Sequence, residues 1–264
     1  MPLDIEEVGQ RDYALMERFL DLIDRVWKPY HRFEVRGLEH IPEGAALYVG
    51  NHNGGLLSID SFLFANDVFR ERGMKHVPYG LAHDMVMSFL PAQKFLIRIG
   101  GIRANHASAK EVFSRGEKAL VYPGGDVDSM RPWKERDLVK FDGRTGYIKL
   151  AVSAGVPIVP LVASGAQSTF YVVSDNQWLA KTLKLDKMLR LKVLPLMLTF
   201  PWGLTLGPSP PYVPFPTKIK MEVLPPMYFE GGDEACKDEA YIKECNGKVH
   251  QALQEKLSEM AYEG

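Results

Sequence analysis

His52 and Asp60 are the two side chains whose types and spacing could do chemistry together. His52 lies where a short apolar run, Ala46-Leu-Tyr-Val-Gly50, gives way to a polar, Gly-rich turn, Asn51-His52-Asn53-Gly54-Gly55. Its imidazole titrates near neutral pH, so it can take a proton from a hydroxyl as that oxygen attacks an electrophile. A carboxylate on the far ring nitrogen would fix the tautomer and stabilise the imidazolium that forms. Asp60 is the candidate, but seven residues separate the two. On one ideal helix that separation spans about 12 Å, too far for a hydrogen bond. The pair therefore requires Gly54-Gly55 to loop out, through backbone angles that glycine tolerates. The alternative for Asp60 is an acid in the first turn of a helix, favoured there by the dipole.

The elements that would position these groups follow a repeating grammar. Residues 46–50 read as a buried strand, and Ser58 reads as the N-cap of a helix over about 59–70. A helix at about 106–115 leads to a strand, Lys118–Tyr122, that ends at Pro123-Gly124-Gly125. A helix at about 144–154 leads to a strand, Pro157–Val162, that ends at Ala163-Ser164-Gly165. This alternation predicts a single α/β domain with a mostly parallel central sheet flanked by helices. In such sheets functional groups gather beyond the carboxyl ends of the strands, where all three polar turns fall. Residues 1–40 read as an N-terminal amphipathic helix (11–30) and lead-in, 41–230 as the main unit, and 231–264 as a closing helix of that unit. The apolar stretch 189–206, broken by Pro195 and Pro201, reads as a buried kinked helix with a loop, or as a flap that dips into a membrane or lines a tunnel.

Four segments, in order and each at a strand end, resemble the motifs of the PlsC-like glycerolipid acyltransferases. Val49-Gly-Asn-His-Asn-Gly-Gly-Leu-Leu-Ser-Ile-Asp60 resembles the first, Gly100-Gly-Ile-Arg-Ala104 the second, Val121-Tyr-Pro-Gly-Gly125 the third and Val156-Pro-Ile-Val-Pro-Leu161 the fourth. The resemblance covers roughly 45–165, extends more loosely to 210–227, and implies transfer of a fatty acyl group from a thioester, acyl-CoA or acyl carrier protein, to the hydroxyl of a lipid acceptor. His52 would be the general base and Asp60 its orienting partner, with no cofactor, no metal and no covalent acyl-enzyme. Asn51 would position His52 or touch the donor. Gly54, Gly55, Tyr122, Pro123, Gly124 and Gly125 would line the substrate site. The amides of Gly124 and Gly125 suit an oxyanion, although a plain tight turn explains them as well. Arg103 would meet a phosphate or lie on the surface.

Two departures bear on this. The family's usual His–Asp spacing has four intervening residues. The third motif, Tyr122-Pro-Gly-Gly-Asp126, lacks the Glu, Thr and Arg of phosphate-recognising relatives and looks more like the branch acting on neutral acylglycerols. A lysophosphatidate or lysophospholipid acceptor is the alternative, and a catalytically silent lipid-binding protein is the rival of another class.

The rest of the chain narrows the possibilities. Lys+Arg is 32 and Asp+Glu 33, for a net charge of -1, so the basic footprint of a nucleic-acid binder is missing. Cys236 and Cys245 make no disulfide framework and fit a reducing compartment. The acidic N-terminus does not read as a secretory signal, and no run is long and apolar enough to span a bilayer. The expectation is a cytoplasmic protein, peripheral on a membrane face. Arg131 and Lys134, flanking Trp133, read as a solvated face, and His76, His106 and His250 as surface residues. His83-Asp84 resembles the metal pair of helical phosphohydrolases without its helical scaffold. Gly231-Gly-Asp-Glu234 reads as a turn with an acidic helix cap.

Overall fold

The computed structural model describes residues 3–55, 58–82, 90–185, 191–207 and 209–262. Seven strands form one sheet: β1 (Glu34–Arg36), β2 (Ala46–Gly50), β3 (Tyr79–Ala82), β4 (Gly101–Arg103), β5 (Lys118–Val121), β6 (Ile158–Ser164) and β10 (Lys220–Val223), in the order β1-β10-β6-β2-β5-β3-β4. Neighbours are parallel throughout except β10 on β6. The fold is thus α/β with a mostly parallel central sheet flanked by helices. β1 pairs with β10, so the lead-in to residue 40 is itself part of the sheet.

Strand β2 shows how the core divides. Leu47 and Val49 point to one face, among side chains of helices α4 (His106–Ser114), α6 (Gly146–Ala154) and α8 (Glu239–Tyr262). Ala46 and Tyr48 point to the other, against α1 (Tyr13–Leu22) and α2 (Ile59–Arg72). A strand buried on both faces reads as a continuous apolar run, as β2 does. Helix α1 starts at Asp12, whose carboxylate accepts from the Leu15 amide at 3.0 Å, and it continues through a π-helical turn, Ile23–Trp27, to Tyr30. It buries Met16, Leu20 and Ile23 on its own domain.

The stretch 189–206 is not helical where it is described. Leu196–Thr199 (β8) and Gly203–Leu206 (β9) form an antiparallel hairpin that joins β7 (Tyr171–Ser174) in a second, three-stranded sheet. Leu196, Met197 and Leu198 make β8 apolar on both faces, so the period-2 signal of a strand is hidden there in the sequence. His76 is also buried rather than on the surface, with Nε2 3.5 Å from Glu43 Oε2. Lys118, at the start of β5, is fully buried too. Its ammonium donates to the carbonyls of Glu43 (3.3 Å) and Gly44 (2.8 Å), and burial pulls its pKa down to about 8. His83-Asp84 lies outside the described residues.

Candidate active site

The carboxyl ends of β2, β3, β4 and β5 open onto one cavity of about 460 Å³. That volume falls within the ordinary range for a small-molecule site. Phe19, Phe62, Leu81, Leu96, Ile99 and Val193 make its wall largely apolar. The charged residues among its described lining are Asp126 and Arg144, which pair at 3.1 Å. Polar groups gather at one end, where His52, Ser58, Ser61 and Tyr122 meet.

The His52 ring stacks on Tyr122 with centroids 4.6 Å apart, and the Tyr122 hydroxyl shares a 2.6 Å hydrogen bond with Ser61 Oγ. His52 Nδ1 is 3.3 Å from Ser58 Oγ, while Nε2 has no hydrogen-bond partner among the described residues. The direct His52–Asp60 hydrogen bond expected from the sequence is therefore not made. Ser58 does precede α2, but in left-handed backbone (φ 38°) and without a side-chain cap bond, so its hydroxyl is available to His52. Asp60 is wholly buried in the first turn of α2. One carboxylate oxygen accepts from the Ser61 amide at 3.0 Å and the other from Asn53 Nδ2 at 3.3 Å.

The extended loop uses its glycines as the spacing demanded. Gly54 and Gly55 both take left-handed angles, φ 71° and 59°. A Cβ on Gly55 would lie 3.0 Å from the Phe170 ring and from the Tyr212 hydroxyl. Asn51 does not line the cavity. It bridges to β6, accepting from the Ala163 amide and donating to the Ala163 carbonyl, each at 2.9 Å. Gly124 is packed so closely that a Cβ would fall 2.2 Å from the Lys140 carbonyl oxygen. Gly125 lines the cavity with Pro123, but its amide donates to Tyr122 O at 3.2 Å. The tight-turn reading thus accounts for that amide. Arg103 is outside the cavity, its guanidinium paired with Glu6.

Burial dominates the titration of both groups. It pulls the His52 imidazolium down to about 4, against a hydrogen bond to the Asn53 backbone and with the positive Arg131 nearby, so the ring is neutral at physiological pH. It pushes the Asp60 carboxyl up to about 7, against the opposing bonds from Asn53 and Ser61. The folded state thus holds the Asp60 proton more tightly than the unfolded chain does. Stability from this group is present at acid pH and is lost as pH rises through about 7. Asp60→Asn cannot ionise. Its Tm relative to wild type should rise from about pH 5 to about pH 8. A flat or falling difference in a thermal-melt series would contradict the raised pKa.

A family model described as Acyltransferase matches residues 32–164, from β1 through β6 and including His52, Asp60, Tyr122 and the Gly124-Gly125 turn. The chain belongs to the acyltransferase family. An uncharacterised protein of Mycobacterium tuberculosis is 26% identical over 233 residues, covering 88% of this chain and 62% of that protein. One from Mycobacterium leprae is also 26% identical, over 92% of this chain and 63% of the relative. The chain thus spans somewhat under two thirds of the length of these relatives. The mouse "DGAT1/2-independent enzyme synthesizing storage lipids" is 25% identical over 142 residues, covering 53% of this chain and 41% of that enzyme. Among solved structures, the 1-acyl-sn-glycerophosphate acyltransferase PlsC of Thermotoga maritima aligns with a TM-score of 0.55 at 16% identity, over 92% of this chain and 79% of that one. That likeness is one of fold.

A fully buried ion pair, Asp128 with Arg131, supports the His52 loop. Asp128, in the short helix α5 (Gly125–Ser129), accepts from the His52 amide at 2.6 Å and the Lys140 amide at 3.0 Å. Arg131 is fully buried, not on a solvated face. Its guanidinium donates to Asp128 Oδ1 (3.1 Å), His52 O (2.7 Å) and Asn53 Oδ1 (2.6 Å). The pair therefore grips His52 by both its N–H and its C=O. The signal available in the sequence was the Asp128-x-x-Arg131 spacing, which sets acid and base side by side on one turn.

Proposed function

We propose that this chain transfers a fatty acyl group from a thioester to the hydroxyl of a glycerolipid-type acceptor in one direct step, with His52 as general base. The observation that carries the reading is the open Nε2 of a neutral, backbone-clamped histidine at the polar end of an apolar cavity. The acceptor O–H gives its proton to Nε2 as its oxygen bonds to the thioester carbon. The C–S bond then breaks, and the thiolate leaves with the proton from the imidazolium. In this tautomer Nδ1–H donates to Ser58 Oγ. Asp60 acts through Asn53, whose side-chain amide donates to it and accepts from Arg131, rather than by touching the ring. The apolar wall suits an acyl chain, and acyl-CoA or acyl carrier protein would supply it. A lipid acceptor implies that the protein works at a membrane face.

A neutral acylglycerol acceptor is favoured, because Arg144 at the cavity is already neutralised by Asp126 and Arg103 faces elsewhere. Competition among monoacylglycerol, diacylglycerol and lysophosphatidate for one labelled acyl-CoA tests this. Preferred labelling of a neutral acceptor is expected, and preferred labelling of lysophosphatidate would overturn it. The missing His52–Asp60 bond favours a second reading, a scaffold that binds lipid without catalysis. Lipid binding with no transfer to any acceptor, from acyl-CoA or acyl carrier protein, would select it.

A further inference from the structure

The three-stranded sheet shows an inverted pattern. Its inner side chains, Val172 and Met197, are buried with Val127 and Met130 directly behind the Gly124-Gly125 turn. Its outer row, Tyr171–Leu198–Leu204 across the three strands, faces solvent. Leu206 extends that face, and Phe200 and Trp202 stand at the hairpin tip. Leu204 is 63% exposed and Trp202 54%. Antiparallel sheets with one wet face ordinarily present polar residues there. Here the whole run from Val193 to Thr217 carries no Asp, Glu, Lys or Arg. The Trp202 indole N–H is spent internally on Pro211 O at 2.6 Å, so the ring presents an apolar surface.

We infer that the outer face of β7-β8-β9, with the Phe200–Trp202 tip, seats this protein on an anionic lipid bilayer beside the mouth of its cavity. The inference rests on the lipid-substrate reading above. Two further observations select a bilayer as the occupant. First, the residues that lead into β8, Leu191 to Pro195, supply part of the cavity lining, so the apolar surface continues into the site. A lipid entering from the bilayer would stay on apolar surface throughout. Second, the segment from Lys181 to Lys192 holds Lys181, Lys184, Lys187, Arg190 and Lys192 against one acid, Asp186. Lys181 and Lys184 are exposed, and Trp178 and Leu183 beside them expose apolar groups; Lys192 is exposed too but pairs with Asp142, and residues 186–190 lie outside the described residues. Aromatic and aliphatic anchors with a basic border match the interface of a membrane rich in anionic headgroups. A second copy fits less well, because its own face, Val193–Thr217, would bring no acid to meet Lys181 and Lys184.

The test is flotation with phosphatidylcholine vesicles, with and without phosphatidylglycerol, comparing wild type with the double variant Trp202→Glu/Leu204→Glu. Both side chains are exposed and the variant loses one surface hydrogen bond, to Pro211, so its Tm should stay within about 4 °C of wild type. Wild type should float, more so with phosphatidylglycerol, and the variant should lose about ten-fold or more in partitioning. Transfer between a short-chain thioester and a water-soluble acceptor should be the same in both proteins. Equal flotation of variant and wild type, or no flotation of wild type, would overturn the inference. So would a wild-type dimer that the variant converts to a monomer without any vesicle binding. Flotation does not depend on catalysis, so a protein that floats yet transfers nothing would sink the enzymatic reading and leave this one standing.

Discussion

His52→Ala is expected to fold and to lose acyl transfer by about 10²–10⁴-fold, the usual contribution of a positioned general base. The side chain is held by a hydrogen bond with Ser58 and a ring stack on Tyr122, at the edge of a cavity. Its removal should lower Tm by no more than about 4 °C, roughly 1 kcal/mol in a chain of this size. The backbone clamp from Asp128 and Arg131 is untouched by the substitution. The loss should therefore appear in kcat with donor binding retained, because the apolar cavity still holds the chain. A large fall in Tm alongside the lost rate would mean that His52 is structural instead.

Asp128→Ala should give the largest stability loss available near the site. It strands the His52 and Lys140 amides and removes the counter-charge of the fully buried Arg131 guanidinium. Removing one partner of a buried ion pair costs about 3–5 kcal/mol, because the other charge is left uncompensated. For a chain this long the loss corresponds to roughly 10 °C or more in Tm, read by calorimetry or denaturant titration. Asp128→Asn keeps an acceptor oxygen and should recover part of it. The His52 loop is held by these same bonds, so transfer should fall in Asp128→Asn even at temperatures where the variant is fully folded. A Tm for Asp128→Ala within about 2 °C of wild type would remove the pair from the account.

The positions of these residues were legible in the sequence to different degrees, for physical reasons. Strands β2, β5 and β6 are short apolar runs that end in Gly-rich turns, and their alternation with helices was enough to give the sheet and to put His52 at a strand end. The left-handed angles at Gly54 and Gly55 followed from the eight-position step to Asp60. The partner of His52 was hidden because Ser58 looks like an N-cap in any sequence, and only its backbone angle turns the hydroxyl toward the ring. Arg131 was misread because Pro132, Trp133, Lys134 and Glu135 around it resemble a surface loop. Its burial comes from Asp128 and from the carbonyls of His52, Glu135 and Arg136, contacts that only the fold assembles. The β8-β9 hairpin was hidden by its own composition, since β8 is apolar on both faces and shows no alternation.

In the proposed mechanism a neutral His52, open at Nε2, moves the proton in a direct acyl transfer. Labelled acyl transfer from acyl-CoA to monoacylglycerol, followed with wild type, with His52→Ala, and with His52→Ala plus added imidazole, tests this most directly. Transfer should require the acceptor, collapse in His52→Ala and partly return with imidazole in the vacated space. Transfer at the wild-type rate by His52→Ala would contradict that mechanism.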